Sequence, residues 1–121
     1  MYIKIMTWNI WSGKNWKDIM KFVRNNKIDV MAFQEVDNNF RIATKNINVC
    51  KDIANALGFN YIYCPSIDKS TDKEIVQYGN CIISRFPVLE SKRVFLSPKI
   101  SWNGKDAETE PRTLLEVKIR I

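Results

Sequence analysis

The first 36 residues carry a hydrophobic pattern that leaves few folds open. Residues 2–10 (YIKIMTWNI) are rich in β-branched and aromatic types and predict a strand. WSGKN follows as a turn, and Trp16, Ile19, Met20 and Val23 then fall at i, i+3, i+4 and i+7, one apolar face of a helix over 16–26. Asn15 stands at its N-cap position and Asp18 in its first turn. Residues 29–36 (DVMAFQEV) are an almost unbroken apolar run ending in Gln34 and Glu35, as expected of a strand buried on both faces. The segment therefore reads as a βαβ unit with parallel strands and a right-handed crossover.

The remainder adds one helix and several strands. Cys50, Ile53, Ala54 and Leu57 form the stripe of a helix over 46–57, with Gly58 at its C-terminal stop. Residues 59–64, 79–86 and 87–96 read as strands, the last two joined tightly at Phe86-Pro87. In the closing RTLLEVKIRI, Leu115, Val117, Ile119 and Ile121 alternate with Glu116, Lys118 and Arg120, the mark of a strand with one dry face. Two polar loops, 65–77 and 97–110, are long for a domain this small, and such loops are often functional. The fold class is mixed α/β, with helices in the first half and strands in the second.

Composition narrows the function classes. A chain of 121 residues, 45% apolar and 26% charged, is neither disordered nor fibrous. A net charge of +6, spread over both halves, favours phosphate-bearing partners such as nucleic acid, anionic lipid or phosphorylated metabolites without choosing among them. Cys50, Cys64 and Cys81 form an odd set with no CxxC pair, so buried free thiols are expected rather than a zinc site or disulfides. The four tryptophans, Trp8, Trp11, Trp16 and Trp102, are expected in core or rim packing. MYIKIMTW lacks the layout of a signal peptide, and no apolar run approaches the ~20 residues of a membrane span, so no transmembrane segment and a cytoplasmic location are expected.

There is no histidine. That excludes Ser-His and Cys-His nucleophile pairs and any imidazole base. No GxxxxGK[ST] or GxGxxG loop is present. What remains is Asn9 at the end of the first strand and Glu35 at the end of the second. Parallel neighbours place these ends side by side at the carboxyl edge, where α/β folds bind ligands. A carboxylate and a carboxamide there suit a hard cation, with water and phosphate as further ligands. Equally, Asn9 closes a turn and Glu35 is a surface acid.

Four segments, MTWNIWSG, DVMAFQEV, YGNCIISRFPVLES and EPRTLLEVKI, occur in an order that resembles the N-terminal half of the endonuclease/exonuclease/phosphatase (deoxyribonuclease I-like) superfamily. The resemblance covers nearly the whole chain. It implies that 1–121 is a single, incomplete domain, half of a four-layer α/β/β/α sandwich with a mixed sheet and helices on one face. By the same resemblance Asn9 matches an active-site asparagine, and Glu35 matches the glutamate that ligates Mg²⁺ or Mn²⁺. Asn80 matches a position near the site, with support of a strand end as its alternative role. Arg112 matches a place near the substrate phosphate, with an ion pair to Glu110 or Glu35 as the alternative. Tyr78 is a candidate for the rim.

The activity implied is metal-dependent hydrolysis of a phosphodiester or phosphomonoester in nucleic acid, phospholipid or a phosphorylated metabolite. The family's catalytic Asp-His machinery belongs to its second half, so this chain alone is expected to be inactive. A non-catalytic phosphate- or nucleic-acid-binding module is the alternative. Half a sandwich leaves a sheet face unburied, which leads to the expectation of a homodimer through that face.

Overall fold

The computed structural model describes residues 1–96 and 111–121. Along the chain run β1 (Ile5–Ser12), α1 (Trp16–Asn25), β2 (Val30–Asn38), a 3₁₀ turn (Ile42–Thr44), α2 (Val49–Leu57), β3 (Asn60–Asp68), β4 (Gln77–Ser84), β5 (Val88–Phe95) and β6 (Thr113–Ile119). The expected loop at 97–110, with Trp102 and Glu110, lies outside the described residues. The expected loop at 65–77 is shorter than the sequence suggests, because β3 continues through Pro65 to Asp68.

The opening βαβ unit forms as its patterning predicts. β1 and β2 are parallel, and β4 and β3 add antiparallel to give a mixed sheet of order β1-β2-β4-β3. β2 is its central apolar strand, buried along most of its length. Ile19 and Val23 of α1 and Val49, Cys50, Ile53 and Ala54 of α2 pack on Met31, Phe33, Val36, Cys81 and Ile83, so both helices cover one face. Asn15 occupies the N-cap of α1 without a side-chain bond. α2 starts at Val49 rather than residue 46, because the Asn48 side chain accepts the amide of Lys51 (3.1 Å) and caps it there. Gly58 ends α2 at φ 70°, the left-handed conformation that glycine adopts without steric cost.

β5 and β6 form a separate antiparallel pair. They lie against β3 and β4 on the face away from the helices, where Asn80 Nδ2 donates to the Thr113 carbonyl (2.9 Å). The expectation of a wholly unburied face is therefore corrected: the β3–β4 side is covered, and Ile5 and Thr7 of β1 remain exposed. At the opposite end of the sheet from Glu35, Asp29 accepts the Lys4 amide (2.9 Å) and Arg85 Nε (2.7 Å), tying together β1, β2 and β4. These bonds, the Lys4 amide foremost, hold its carboxyl below the usual range.

The cysteines depart from expectation. Cys50 of α2 and Cys81 of β4 are joined in a disulfide across the core, and Cys64 alone is a buried free thiol. Apolar surroundings suit a thiol and a disulfide equally, so the local sequence held no sign of the pairing. Among the described residues no helix is long and apolar enough to cross a membrane.

The bond closes a loop with a sequence separation of 31, which is expected to add about 3 kcal/mol. Thiol titration in denaturant without reductant should find one free thiol per chain rather than three. Reduction should lower the melting temperature by roughly 10 °C. An unchanged melting curve under reductant would contradict the role given to this bond.

Candidate active site

Every strand of the four-stranded sheet departs from regular pairing at one level. Between β1 and β2 the register shifts after Asn9↔Gln34, to resume at Ser12↔Val36. Between β2 and β4 it shifts from Phe33↔Cys81 to Val36↔Gly79, and between β3 and β4 from Pro65↔Gly79 to Ile67↔Tyr78. Extra residues in a ladder turn side chains away from their alternating places. Here they open a cavity of about 290 Å³ lined by Asn9, Gln34, Glu35, Ser66, Tyr78, Gly79, Asn80, Pro111, Arg112 and Thr113.

All five residues singled out by sequence therefore border one cavity. Glu35 has φ 56°, a left-handed conformation costly for a side chain of its size. Its neighbour Val36 is pinned from the helix face, where Tyr63 donates its hydroxyl to the Val36 carbonyl (2.7 Å). Beyond Asn9 the chain turns sharply, with φ 42° at Trp11 and 74° at Ser12. Asn9 Oδ1 accepts the Trp11 amide (3.1 Å), so Asn9 does close a turn while bordering the cavity. That turn leaves Trp11 73% exposed, outside the packing role expected of the tryptophans.

Asn80 is committed to Thr113 and thus holds β6 at the cavity wall, the supporting role left open by the sequence. Arg112, next in the chain, brings its cation to the same wall. Gly79 is required by packing. A Cβ there would collide with the Cys64 carbonyl and lie 2.7 Å from Pro65 Cα, so β3 and β4 approach backbone to backbone.

Sequence reasoning missed the support behind Tyr78. Asp37 is fully buried on β2, and its carboxylate accepts from Arg41 Nη1 and from Thr44 Oγ1 (2.6 Å). Burial pushes the Asp37 carboxyl up, against the pull of Thr44 and Arg41. Held this way, the Arg41 guanidinium stacks 4.8 Å from the centre of the Tyr78 ring. Gln34 was read only as a strand end. Its Nε2 donates to Thr7 Oγ1 and to the Ala32 carbonyl (both 3.0 Å), which braces the floor beside Glu35.

Among the described residues the cavity lining carries one acid, Glu35, and one cation, Arg112, with neutral groups around them. No cluster of three or more His, Cys, Asp or Glu that could hold a metal occurs among the described residues. The arrangement suits an anionic ligand bridged to the carboxylate by a cation that brings its own waters.

Two substitutions probe this construction. Glu35→Gly removes the cost of the positive φ and is expected to stabilise the chain by about 1 kcal/mol in urea denaturation. Arg41→Met strands a buried carboxylate and should cost about 3 kcal/mol at neutral pH. Because the Asp37 pKa is already raised, and rises further without Arg41, that deficit should shrink as acid protonates the carboxyl.

Residues 6–114 match the family model described as the Endonuclease/Exonuclease/phosphatase family. Among solved structures, an endonuclease/exonuclease/phosphatase from Beutenbergia cavernae superposes with a TM-score of 0.69 at 19% identity, over 98% of this chain and 34% of its own. A family protein from Leptotrichia buccalis gives 0.68 at 14% identity, over 99% of this chain and 49% of its own. An AP endonuclease from Archaeoglobus fulgidus gives 0.50 at 16% identity, over 80% and 33%. At these identities the likeness is one of fold. The chain spans a third to a half of the length of these structures. No curated protein matches the sequence. The residues matched by the family model run through both sheets and both helices, and the chain belongs to the endonuclease/exonuclease/phosphatase family.

Proposed function

We propose that the cavity at the strand irregularities is the N-terminal portion of a metal-dependent phosphoester hydrolase site, of phosphodiesterase or nuclease type. The observation that carries this reading is the convergence of Asn9, Glu35, Tyr78, Asn80 and Arg112 on one cavity from three separate strands and the approach to β6. Family membership supports the reaction class. The donor set fits Mg²⁺ or Mn²⁺, because one carboxylate with carboxamide oxygens beside it leaves places for water and a substrate phosphate. Glu35 would hold the ion, with Asn9 beside it. When bound, the ion supplies charge neutralisation at the phosphate and the leaving oxygen.

The chain's own residues divide the remaining tasks. Arg112 binds a phosphate oxygen with its guanidinium, a charge-assisted contact with directional donors. Asn80 keeps the Thr113 strand end, and with it Arg112, at the cavity wall. Tyr78, backed by Arg41, forms a rigid side of the cavity. No group in this set has the character of a general base for the attacking water, since the chain has no histidine and Glu35 is assigned to the ion. The isolated chain is therefore expected to bind metal and phosphate while turning over at the background rate.

Mn²⁺ titration followed by electron paramagnetic resonance tests the site. Wild type should bind, and Glu35→Ala should weaken binding by about tenfold or more. Equal binding by the two proteins would remove Glu35 from the site. Mg²⁺-dependent hydrolysis of bis-p-nitrophenyl phosphate by the purified chain would refute its inactivity. Oligonucleotide affinity that falls steeply with salt and ignores Mg²⁺ would instead favour a non-catalytic binding module.

A further inference from the structure

The two helices stop side by side at the end of the sheet away from Glu35, and they stop in the same way. In α2 the Gly58 amide donates to the Asn55 carbonyl (3.2 Å) and the Phe59 amide to that of Ala54 (2.9 Å). In α1 the Lys27 amide donates to the Arg24 carbonyl (3.2 Å) and the Ile28 amide to that of Val23 (3.1 Å). Both are the paired-bond stop in which a left-handed residue reverses the chain and the next, apolar one folds back on the helix. Gly58 fills the left-handed place in α2 at φ 70°, but α1 puts Lys27 there at φ 51°. A lysine in that conformation bears a steric cost that glycine avoids. A role confined to ending the helix is met better by glycine, as at Gly58, so the lysine answers to something other than the fold.

Lys27 lines a cavity of about 410 Å³ between the two helix ends, built wholly from residues within 23–85. Val23, Ile28, Leu57 and Phe59 give it apolar walls, and the last three are only half-buried. Three cations, Arg24, Lys27 and Arg85, line it against one acid, Asp29. Two of the cations are held in place. Arg24 Nη2 donates to the Ala56 carbonyl (2.8 Å) at the end of α2, and Arg85 Nε donates to Asp29 (2.7 Å) with its guanidinium 4.6 Å from the centre of the Phe86 ring. Each guanidinium keeps further N–H donors beyond those bonds. Helix C-termini attract cations and repel anions. Here Arg24 answers the end of α2 and Arg85 answers Asp29, while the Lys27 ammonium has no partner among the described residues and its charge is in surplus.

We propose that this cavity is a second ligand site, for a small amphiphilic anion: an apolar ring or short chain that bears one phosphate or carboxylate group. Half-buried apolar walls with a few convergent polar groups are the usual make-up of a small-molecule site. The walls of Ile28, Leu57 and Phe59 take up the apolar part. The anionic head lies among the Lys27 ammonium and the unused donors of Arg24 and Arg85, in charge-assisted contacts. Charge complementarity selects an anion over a neutral molecule, because three cations face one acid across the cavity. The site stands at the opposite end of the sheet from Glu35 and shares no residue with the cavity there, so it does not rest on the hydrolase reading.

Amide chemical shifts of the full chain, followed through titrations with 1-naphthylmethylphosphonate, 1-naphthylacetate and 1-naphthylmethanol, test this directly. The C–P bond of the phosphonate resists hydrolysis, so a hydrolase site cannot consume the probe. At least one of the two anions should move the signals of Lys27, Ile28 and Phe59 and bind about fivefold or more tightly than the neutral alcohol. The tighter of the two assigns the head group as phosphate or carboxylate. Lys27→Gly removes the surplus charge and the strained conformation together. It should raise the urea midpoint of unfolding and yet weaken anion binding about fivefold, a combination that a purely structural lysine would not give. Arg24→Gln should weaken the anion in the same direction. Shifts confined to the cavity at Asn9 and Glu35 would overturn the proposal. So would an alcohol that binds as tightly as both anions, or a Lys27→Gly chain that binds as wild type does. None of these results bears on Mn²⁺ binding by Glu35, so the two readings fail separately.

Discussion

Register is the constraint on which the rest depends. Four strands that paired without interruption would point alternate side chains to the helices or to the opposite face, with no cavity between them. The shifts at Asn9–Ser12, Gln34–Val36, Tyr78–Gly79 and Pro65–Ile67 stand at one level, so their effects add into a single opening. Holding them open needs bonds that a regular sheet does not. The Tyr63 hydroxyl on the Val36 carbonyl, Asn9 on the Trp11 amide and Gln34 on Thr7 supply them.

The energetics follow from where each interaction stands. The helix face is sealed by aliphatic packing and by the Cys50–Cys81 bond, which fastens α2 to the strand that carries Asn80. That rigid side supports the left-handed φ at Glu35, a conformation that persists only where the surroundings over-determine it. Asp37 is the polar counterpart. A fully buried carboxylate is tolerable there because Arg41 and Thr44 satisfy it, and Arg41 thereby acquires a fixed place over Tyr78.

Much of this was legible in the sequence. The stripe Trp16, Ile19, Met20, Val23 and the run DVMAFQEV define the βαβ opening, and the alternation in RTLLEVKIRI defines β6. The placement of Asn9 and Glu35 at one end of the sheet followed from the carboxyl edge of parallel strands. What stayed hidden is non-local. Periodicity reports which face a residue occupies, but a bulge is a mismatch between two strands and leaves no mark in either alone. The same holds for the disulfide, whose two cysteines are distant in sequence and similar in setting to Cys64. Asp37 and Arg41 are near neighbours, yet a polar run such as DNNFR reads as solvated surface until Asp37 is found at the core.

Gly79 bears on how such a site can change over time. Because β3 meets β4 there through main-chain atoms, the cavity's outline on that side is drawn by backbone and not by any side chain. Ser66 can give way to threonine, which keeps the hydroxyl that donates to the Tyr78 carbonyl (3.2 Å), whereas position 79 tolerates no addition at all. The side chains of that wall are thus free to drift within narrow bounds while its shape is inherited.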